Sequence, residues 1–248
     1  MNDPGIASVE RELREQLQLA DKPVGHPAET SLLSPEQRRE ISIISASTAS
    51  RAQVNAFRNL RTRLLAIAGG QSITTVVAPV SKGSGGSFIA RNLAAAMAFE
   101  EGRNALLVDC DLLEPSQHTT MRINTDNGGL TDYLDSPAVE VEDILYETGI
   151  ARFRLIPAGT APRPDNEYFT RFKMRLLIDS LSYRYPDRYL FLDSPPVLGA
   201  PDARLLSHLA DVVVLVAGYG RDTPEAIAEA AANFDPAKFA GVVFNEGV

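Results

Sequence analysis

The sequence has a single cysteine, no tryptophan and no long apolar stretch. Cys110 alone excludes an internal disulfide framework and a cysteine-rich zinc site. No apolar run reaches the roughly 20 residues that a membrane span needs, and the N-terminus lacks the order of a signal peptide. The 248 residues include 24 basic and 32 acidic ones, and this excess of acid argues against a nucleic-acid partner. These absences predict a cytoplasmic protein with no direct membrane span.

From Ser72 onwards, short β-branched runs alternate with helical segments. Strands that are apolar on both faces and separated by helices predict an α/β fold. We expect a doubly wound, mostly parallel sheet with helices on both faces. The predicted strands are Ile73–Val77, Ala105–Val108, Phe153–Ile156, Tyr189–Leu192, Val212–Val216 and Gly241–Phe244, and the predicted helices between them include Ser87–Glu100, Glu167–Leu181 and Pro224–Asn233.

The N-terminal part of the chain has a different pattern. Residues 7–19 carry apolar side chains at helical spacing, and residues 20–50 mix Pro, Ser, Thr and Gly without a period. The sequence therefore predicts an N-terminal helix and flexible linker over residues 1–50. A helix over Ala52–Ala68 then opens the α/β domain, which we expect to cover residues 51–248.

A glycine-rich loop follows the first predicted strand. It reads KGSGGSF from Lys82 to Phe88 and leads directly into a predicted helix. Glycines let backbone N–H groups turn inward, and a helix N-terminus adds partial positive charge, so such loops bind phosphate. Alone, a glycine turn after a strand is more often only a turn.

Carboxylates follow two other predicted strands. Asp109 and Asp111 come after the run ALLV, and Asp193 comes after YLFL. Ligands of parallel sheets bind beyond the carboxyl ends of the strands, where these groups would meet the loop. Together with a loop hydroxyl they form an oxygen set suited to Mg²⁺ and nucleotide phosphates.

The register of the loop depends on its hydroxyl residue. The pattern G-x-x-x-x-G-K-[ST] ends in a lysine followed by serine or threonine. If Ser87 supplies the hydroxyl, Gly85 occupies the last glycine position and Gly86 occupies the lysine position. The other register would place Phe88 in the hydroxyl position and lose both functions.

Six separated segments resemble the bacterial tyrosine autokinases of exopolysaccharide biosynthesis, most closely their soluble, exosortase-associated branch. That family's loop reads like PGEGKTFTAINLA, against KGSGGSFIARNLA here, and LLVDADxxxPS is matched by LLVDCDLLEPS. The segments GLTDYL, LIPAGT, RYPDRYLFLDSPPVL and ADVVVLV follow in order. The resemblance covers about residues 52–248 and fixes the first register. It implies a P-loop NTPase fold that binds ATP or ADP with Mg²⁺.

The resemblance also implies a role for each matched residue. Asp109 and Asp111 would be the catalytic residues. Together with Ser87 and Asp193 they would also bind the metal. The nucleotide would contact Lys82, Gly83, Ser84, Gly85, Gly86, Ser87, Phe88 and Asn245, the last near the adenine. The expected partner is a membrane polysaccharide chain-length (co-polymerase) protein acting in trans, which would recruit this chain to the inner face of the membrane.

Three features depart from the family pattern. Gly86 replaces the loop lysine, which normally neutralises phosphate charge in the transition state. The tyrosine-rich C-terminal tail of the family is not found in this sequence, in which Tyr219 is the last tyrosine. The ring-forming motif Glu-x-x-Arg-x-x-Arg lacks its glutamate but keeps Arg58 and Arg61, which we expect at an interface of a homo-oligomer.

Three functions fit these observations. The first is a regulatory, nucleotide-binding relative of the kinases with lost or strongly reduced activity. The second is an active protein-tyrosine autokinase in which Lys82 replaces the absent lysine. The third is a partitioning-type P-loop ATPase, whose second signature lysine would fall at Ser81 in the preferred register.

Overall fold

Helices and parallel strands alternate along most of the chain, as the hydrophobic pattern predicts. The computed structural model describes residues 32–162, 167–184 and 187–246, apart from the side chains of residues 183 and 184. The strands are β1 Thr74–Pro79, β2 Asn104–Asp109, β3 Tyr146–Glu147, β4 Phe153–Ile156, β5 Arg188–Asp193, β6 Val212–Gly218 and β7 Phe239–Asn245. The helices are α1 Pro35–Glu40, α2 Arg51–Ala68, α3 Gly86–Ala98, α4 Gln117–Met121, α5 Leu130–Asp135, α6 Phe172–Arg184, α7 Asp202–His208 and α8 Pro224–Ala231.

The strands form one sheet in the order β3-β4-β2-β5-β1-β6-β7. All neighbouring pairs are parallel except β3 with β4, which is antiparallel at the edge of the sheet. Strands β2, β5 and β1 are adjacent in the centre, so their carboxyl ends lie side by side. The predicted doubly wound fold is therefore confirmed.

Apolar cores cover both faces of the sheet because the central strands are apolar on both sides. Successive residues of β1 point to opposite cores: Val76 packs with helices α6, α7 and α8, whereas Val77 packs with α2 and α3. Both valines are fully buried. The sheet is therefore packed on both faces where the loop after β1 begins.

The segment before α2 is not a plain linker in the residues that are described. Ser34 caps helix α1, and the segment that follows buries Ile41 and Ile43 against α3. The side chain of Asn92 on α3 accepts a hydrogen bond from the Ile44 amide (2.7 Å) and donates one to the Ser42 carbonyl (3.0 Å). The linker prediction therefore fails for residues 32–50, while the predicted helix over residues 7–19 lies outside the described residues.

One predicted helix starts five residues later than expected, and several short helices were not predicted. The helix expected from Glu167 begins at Phe172, after a short 3₁₀ turn over Tyr168–Thr170. The short helices α1, α4, α5 and α7 were not predicted, because each has two turns or fewer and shows too little periodicity. No helix among the described residues has the length and apolarity to cross a membrane.

Candidate functional site

The glycine-rich loop joins β1 to α3 and leaves a row of backbone N–H groups without partners. Gly83 and Gly85 both have left-handed backbone angles, with φ of 84° and 89°. The amides of Lys82, Gly83, Gly85, Gly86 and Ser87 have no hydrogen-bond acceptor among the described residues. Alternating left-handed residues that turn N–H groups inward form an anion-binding concavity. The start of α3 adds its partial positive charge to the same place.

The loop has no room for a side chain at Gly86. A Cβ atom placed there would lie 2.7 Å from Cδ and 2.8 Å from Cγ of Pro79, the last residue of β1. Because the proline ring is rigid and both residues belong to buried backbone, neither can move aside cheaply. The loop therefore lacks the lysine at position 86, and the Pro79 ring also occupies the space that a side chain there would need.

A loop from the neighbouring strand holds the glycine-rich loop in place. The Asp222 carboxylate, beyond the end of β6, accepts hydrogen bonds from Ser81 Oγ, Ser84 Oγ (2.7 Å) and the Gly218 amide (2.7 Å). Burial raises the pKa of Asp222, but the hydrogen bonds outweigh it and the pKa is lowered overall. Asp222 therefore stays ionised and fixes the loop conformation.

Two cations border the loop. The Lys82 ammonium forms an ion pair with Glu114, and both side chains are largely exposed. Arg221 donates a hydrogen bond to the Lys82 carbonyl (3.0 Å), and its guanidinium lies 3.0 Å from the point where Gly83 would carry a Cβ. Neither side chain comes from position 86, where the lysine is absent, and both have partners elsewhere: Glu114 for Lys82 and the Lys82 carbonyl for Arg221.

Asp109 and Asp193 lie side by side at the ends of β2 and β5, whose register pairs them directly. Both carboxylates are fully buried. Burial raises the pKa of Asp109, and the neighbouring charge of Asp193 raises it further. Burial likewise raises the pKa of Asp193, against hydrogen bonds from Gln117 and Ser87 that lower it. Two buried carboxylates in this arrangement favour a bound proton or a cation between them.

Gln117, the first residue of α4, connects the two aspartates to the loop. Its backbone amide donates to Asp109 Oδ2 (3.0 Å), and its side-chain Nε2 donates to Asp193 Oδ2 (2.6 Å) and to the Ser87 carbonyl (2.9 Å). Its Oε1 accepts a hydrogen bond of 3.0 Å from Arg91, which is itself buried. Arg91 therefore lies behind the aspartates and supplies positive charge from the protein interior.

Asp111 lies beside this centre and faces an open cavity. Its Oδ1 accepts a hydrogen bond from the Glu114 amide (3.1 Å), and burial raises its pKa despite that bond. The cavity has a volume of about 530 Å³ and is also lined by Lys82, Cys110 and Tyr168. Cys110 is buried and its thiol pKa is raised well above the ordinary value by burial, so it is no ready nucleophile.

The residues present fit a nucleotide phosphate held with Mg²⁺. The free loop amides suit phosphate oxygens, and the buried Asp193 Oδ1 has no hydrogen-bond partner among the described residues. No cluster of three or more His, Cys, Asp or Glu side chains in the described part of the chain is arranged to hold a metal. Mg²⁺ commonly takes only one or two protein ligands and completes its shell with phosphates and waters.

Two residues predicted at the nucleotide have other contacts. The Asn245 side chain, at the end of β7, donates to the Ser84 carbonyl (3.1 Å), and its Nδ2 lies 2.0 Å from the Cβ position of Gly85. The ring of Phe88 packs edge-on against Phe57 of α2, with 6.1 Å between centroids. Asn245 thus supports the loop from outside, and Phe88 turns its side chain away from the site.

The arginines expected at an interface lie on α2. Arg61 donates to the Ala96 carbonyl (3.0 Å) and pairs with Glu100 of the same chain (2.9 Å). Arg58 is exposed on the helix surface. Their role in an oligomer stays a prediction.

Sequence reasoning missed four residues that shape the site: Pro79, Gln117, Arg91 and Asp222. Asp222 had a signal, since it is a carboxylate four residues beyond the end of the apolar strand β6. Gln117 directly follows the second acidic motif and Pro79 ends β1. Their contacts depend on long-range packing that the sequence pattern does not display.

Comparison with known proteins gives a consistent set of relatives, although no protein-family model matches the chain. It is 28% identical over 210 residues to the tyrosine-protein kinase Wzc of Salmonella typhimurium, an alignment that covers 84% of this chain and 28% of that protein. It is 25% identical over 192 residues to the tyrosine-protein kinase CpsD of Streptococcus agalactiae, covering 77% of this chain and 81% of the relative. The chain therefore spans little more than a quarter of Wzc and most of CpsD.

The fold is shared with solved kinase domains and with an ATPase. The kinase domain of the Escherichia coli tyrosine kinase ETK superposes with a TM-score of 0.73 and 24% identity, covering 93% of this chain and 86% of that one. The cell division ATPase MinD of Pyrococcus furiosus gives a TM-score of 0.53 at 22% identity, covering 69% of this chain and 70% of that one. The homologues of this chain are bacterial tyrosine-protein kinases, as the sequence motifs predicted.

Proposed function

We propose that this chain is a nucleotide-binding regulator of exopolysaccharide biosynthesis, derived from a bacterial tyrosine autokinase and with lost or strongly reduced phosphoryl transfer. ATP or ADP with Mg²⁺ binds the loop amides, Ser87 and Asp193. The nucleotide would supply phosphoryl groups in an active relative. In this chain Asp109 and Asp111 keep the acidic positions, but no cation stands in the lysine position.

The contact between Gly86 and Pro79 carries this proposal. A lost lysine alone would remove charge that stabilises the transition state, worth about 3–4 kcal/mol for a comparable donor. Here the proline ring also fills the space that a side chain would need. The loop is thus adapted to the absence of the lysine, whereas its phosphate-binding amides remain free.

The partner is proposed from the kinship with Wzc and CpsD. We expect a membrane polysaccharide chain-length protein whose cytoplasmic segment binds this chain and recruits it to the inner face of the membrane. Bound nucleotide would then set the conformation that the partner recognises. The formation of a homo-oligomer, which the sequence predicts, is part of the same proposal.

Phosphotyrosine detection tests the loss of activity. The purified chain is incubated with ATP, Mg²⁺ and a Glu-Tyr copolymer as acceptor, with and without the partner's cytoplasmic segment. We expect labelling at the level of an Asp109→Ala variant. Robust labelling that Asp109→Ala abolishes would contradict the proposal.

A gain-of-function series gives a sharper test. Gly86→Lys alone should lower the melting temperature, because its Cβ meets the Pro79 ring. The double variant Pro79→Ala with Gly86→Lys removes the obstruction and restores the cation, so we expect at least about a hundredfold more transfer than in the wild type. Pro79→Ala alone is the matched control and should leave transfer unchanged.

An active autokinase is the second candidate, because Lys82 borders both the loop and the cavity beside Asp111. Its pair with Glu114 is exposed, and such pairs contribute only about 0–1 kcal/mol, so Lys82 can be released. In this case Lys82→Ala removes phosphorylation that the wild type shows. Unchanged phosphorylation in Lys82→Ala would exclude this candidate.

A partitioning-type ATPase is the third candidate and is favoured only by the fold that MinD shares. Ser81, at the position expected for a second loop lysine, is bound to Asp222 within the chain. Light scattering with Mg-ATP separates the candidates, since this class predicts dimerisation on binding ATP.

A further inference from the structure

A second cavity lies far from the phosphate loop. It has a volume of about 300 Å³ and lies between helix α2, the end of α3 and the segment that follows α1. Ala96 lines it, ten residues along α3 from Gly86, which corresponds to about 15 Å of helix. The cavity and the phosphate loop are therefore at opposite ends of α3, so a ligand in one does not touch the other.

Three arginines line this cavity: Arg38, Arg58 and Arg61. No Asp or Glu is among the described residues of its wall. The nearest carboxylate in contact with them is Glu100, which pairs with Arg61 and also with Arg103. The wall therefore carries an excess of positive charge, in a chain whose formal charge is −8.

Two of these guanidinium groups have unused donors. The buried Nε of Arg38 has no acceptor among the described residues, and its guanidinium lies 6.0 Å from the centroid of the Phe99 ring. Arg61 Nε is 2.9 Å from Glu100 but lacks the alignment of a hydrogen bond. A buried donor without an acceptor destabilises the fold, and this cost disappears when an anion supplies the acceptor.

The rest of the wall suits the organic part of a small ligand. Val54, Phe57 and Phe99 contribute apolar surface. Guanidinium forks match phosphate oxygens in two-point hydrogen bonds, and aromatic surface accommodates a flat or compact group. A volume near 300 Å³ is at the lower end of the range for small-molecule sites.

We propose that this arginine cavity is a second ligand site, which binds a small phosphorylated molecule through Arg38 and Arg58. Arg61 contributes its remaining donor while it keeps its contact with the Ala96 carbonyl. The site does not depend on the nucleotide loop or on kinase activity. Its occupancy stabilises the packing of the segment after α1 against α2.

Calorimetry with three probes tests this site: inorganic phosphate, pyrophosphate and AMP, each titrated into chains that carry Gly85→Ala, so that the phosphate loop does not compete for the probe. We expect at least one probe to bind with one site per chain. The double variant Arg38→Gln with Arg58→Gln should weaken that binding at least tenfold. Arg63→Gln, which removes an exposed arginine from the same helix outside the cavity, should leave it unchanged.

Two results would overturn the proposal. The first is the absence of binding for all three probes, or equal binding by the wild type and the double variant. The second is a double variant that changes the oligomeric state in light scattering without changing probe affinity. That outcome would assign the arginines to a contact with a second copy of the chain. Equal melting temperatures of the variants verify that each is folded.

Discussion

At the scale of single residues, Gln117 connects more groups of the site by hydrogen bonds than the loop residues do. It is fully buried and bonds to both aspartates, to the Ser87 carbonyl and to Arg91. Gln117→Leu removes the side-chain bonds and leaves Arg91 without an acceptor. We expect the free energy of unfolding in urea to fall by about 2–4 kcal/mol, because buried polar groups lose their partners.

The control for this change is Thr119→Ala, an exposed position on the same short helix. It should alter the free energy of unfolding by less than about 0.5 kcal/mol. Gln117→Leu should also weaken binding of Mg-ADP, since Asp193 and Ser87 lose their common support. A variant with normal stability and normal affinity would show that Gln117 has no such role.

Asp222 gives a prediction with a defined pH dependence. Its pKa is lowered from 3.8 because three hydrogen bonds to the carboxylate outweigh burial. A carboxylate with a lowered pKa contributes stability that is present above the unfolded value and lost as the pH falls through the folded value. Asp222→Asn should therefore reduce the melting temperature at pH 7, and this difference from the wild type should shrink below about pH 4.

The matched control is Asp235→Asn, an exposed carboxylate in the turn after α8 whose Oδ1 accepts a hydrogen bond from the Ala237 amide (2.9 Å). Thermal unfolding followed by circular dichroism between pH 3 and pH 7 measures both variants. A constant difference between Asp222→Asn and the wild type across this range would show that the charge of Asp222 is not what holds the loop.

At the scale of elements, the segment after α1 shows where sequence patterns lose information. The strands were predictable because each is a run of β-branched or apolar residues buried on both faces. The segment of residues 41–45 has no period, and its position depends on Asn92, 48 residues away from Ile44. Such a contact cannot be derived from local sequence, so a packed segment was mistaken for a linker.

The packing of this segment predicts a large effect from one side chain. Ile43 is 1% exposed and packs in the core that covers one face of the sheet. Ile43→Ala should lower the free energy of unfolding by about 2–5 kcal/mol, as for other buried aliphatic truncations. Leu32→Ala, at a position 60% exposed, should change it by less than about 0.5 kcal/mol. Urea denaturation measures both, and equal effects would mean that the segment is not part of the core.

At the scale of the whole molecule, the order of the strands brings the loop, Asp109 and Asp193 to one edge of the sheet. The sequence predicted this meeting because the carboxyl ends of parallel strands share an edge. It did not predict that Pro79 closes the lysine position, since the packing of β1 against the start of α3 decides that contact. The pattern thus predicted a nucleotide ligand, and the packing of Pro79 leaves no room for a side chain at Gly86.

This division of roles predicts how the whole chain distinguishes nucleotides. The loop amides can bind the phosphates that ADP and ATP share, whereas position 86 has no cationic side chain to contact the terminal phosphate of ATP. Mg-ADP and Mg-ATP should therefore bind with dissociation constants that agree within about threefold in calorimetry, a difference of less than 1 kcal/mol. Both should raise the melting temperature by the same amount at equal saturation.

Gly85→Ala is the variant that should abolish the binding of both Mg-ADP and Mg-ATP. Gly85 has φ of 89°, which an L side chain rarely adopts, and a Cβ there would lie 2.0 Å from Asn245 Nδ2. The replacement therefore strains the loop backbone and displaces the Asn245 side chain from the Ser84 carbonyl, so we expect the loop amides to lose their arrangement. Gly102→Ala is the matched control, because Gly102 also has positive φ but open space around its Cβ position. Both replacements strain the backbone, but only Gly85→Ala should remove nucleotide binding.

If Mg-ATP binds the wild type tenfold more tightly than Mg-ADP, a cation does reach the terminal phosphate. Lys82→Ala and Arg221→Ala would then identify it, since only loss of the responsible side chain brings the two affinities together.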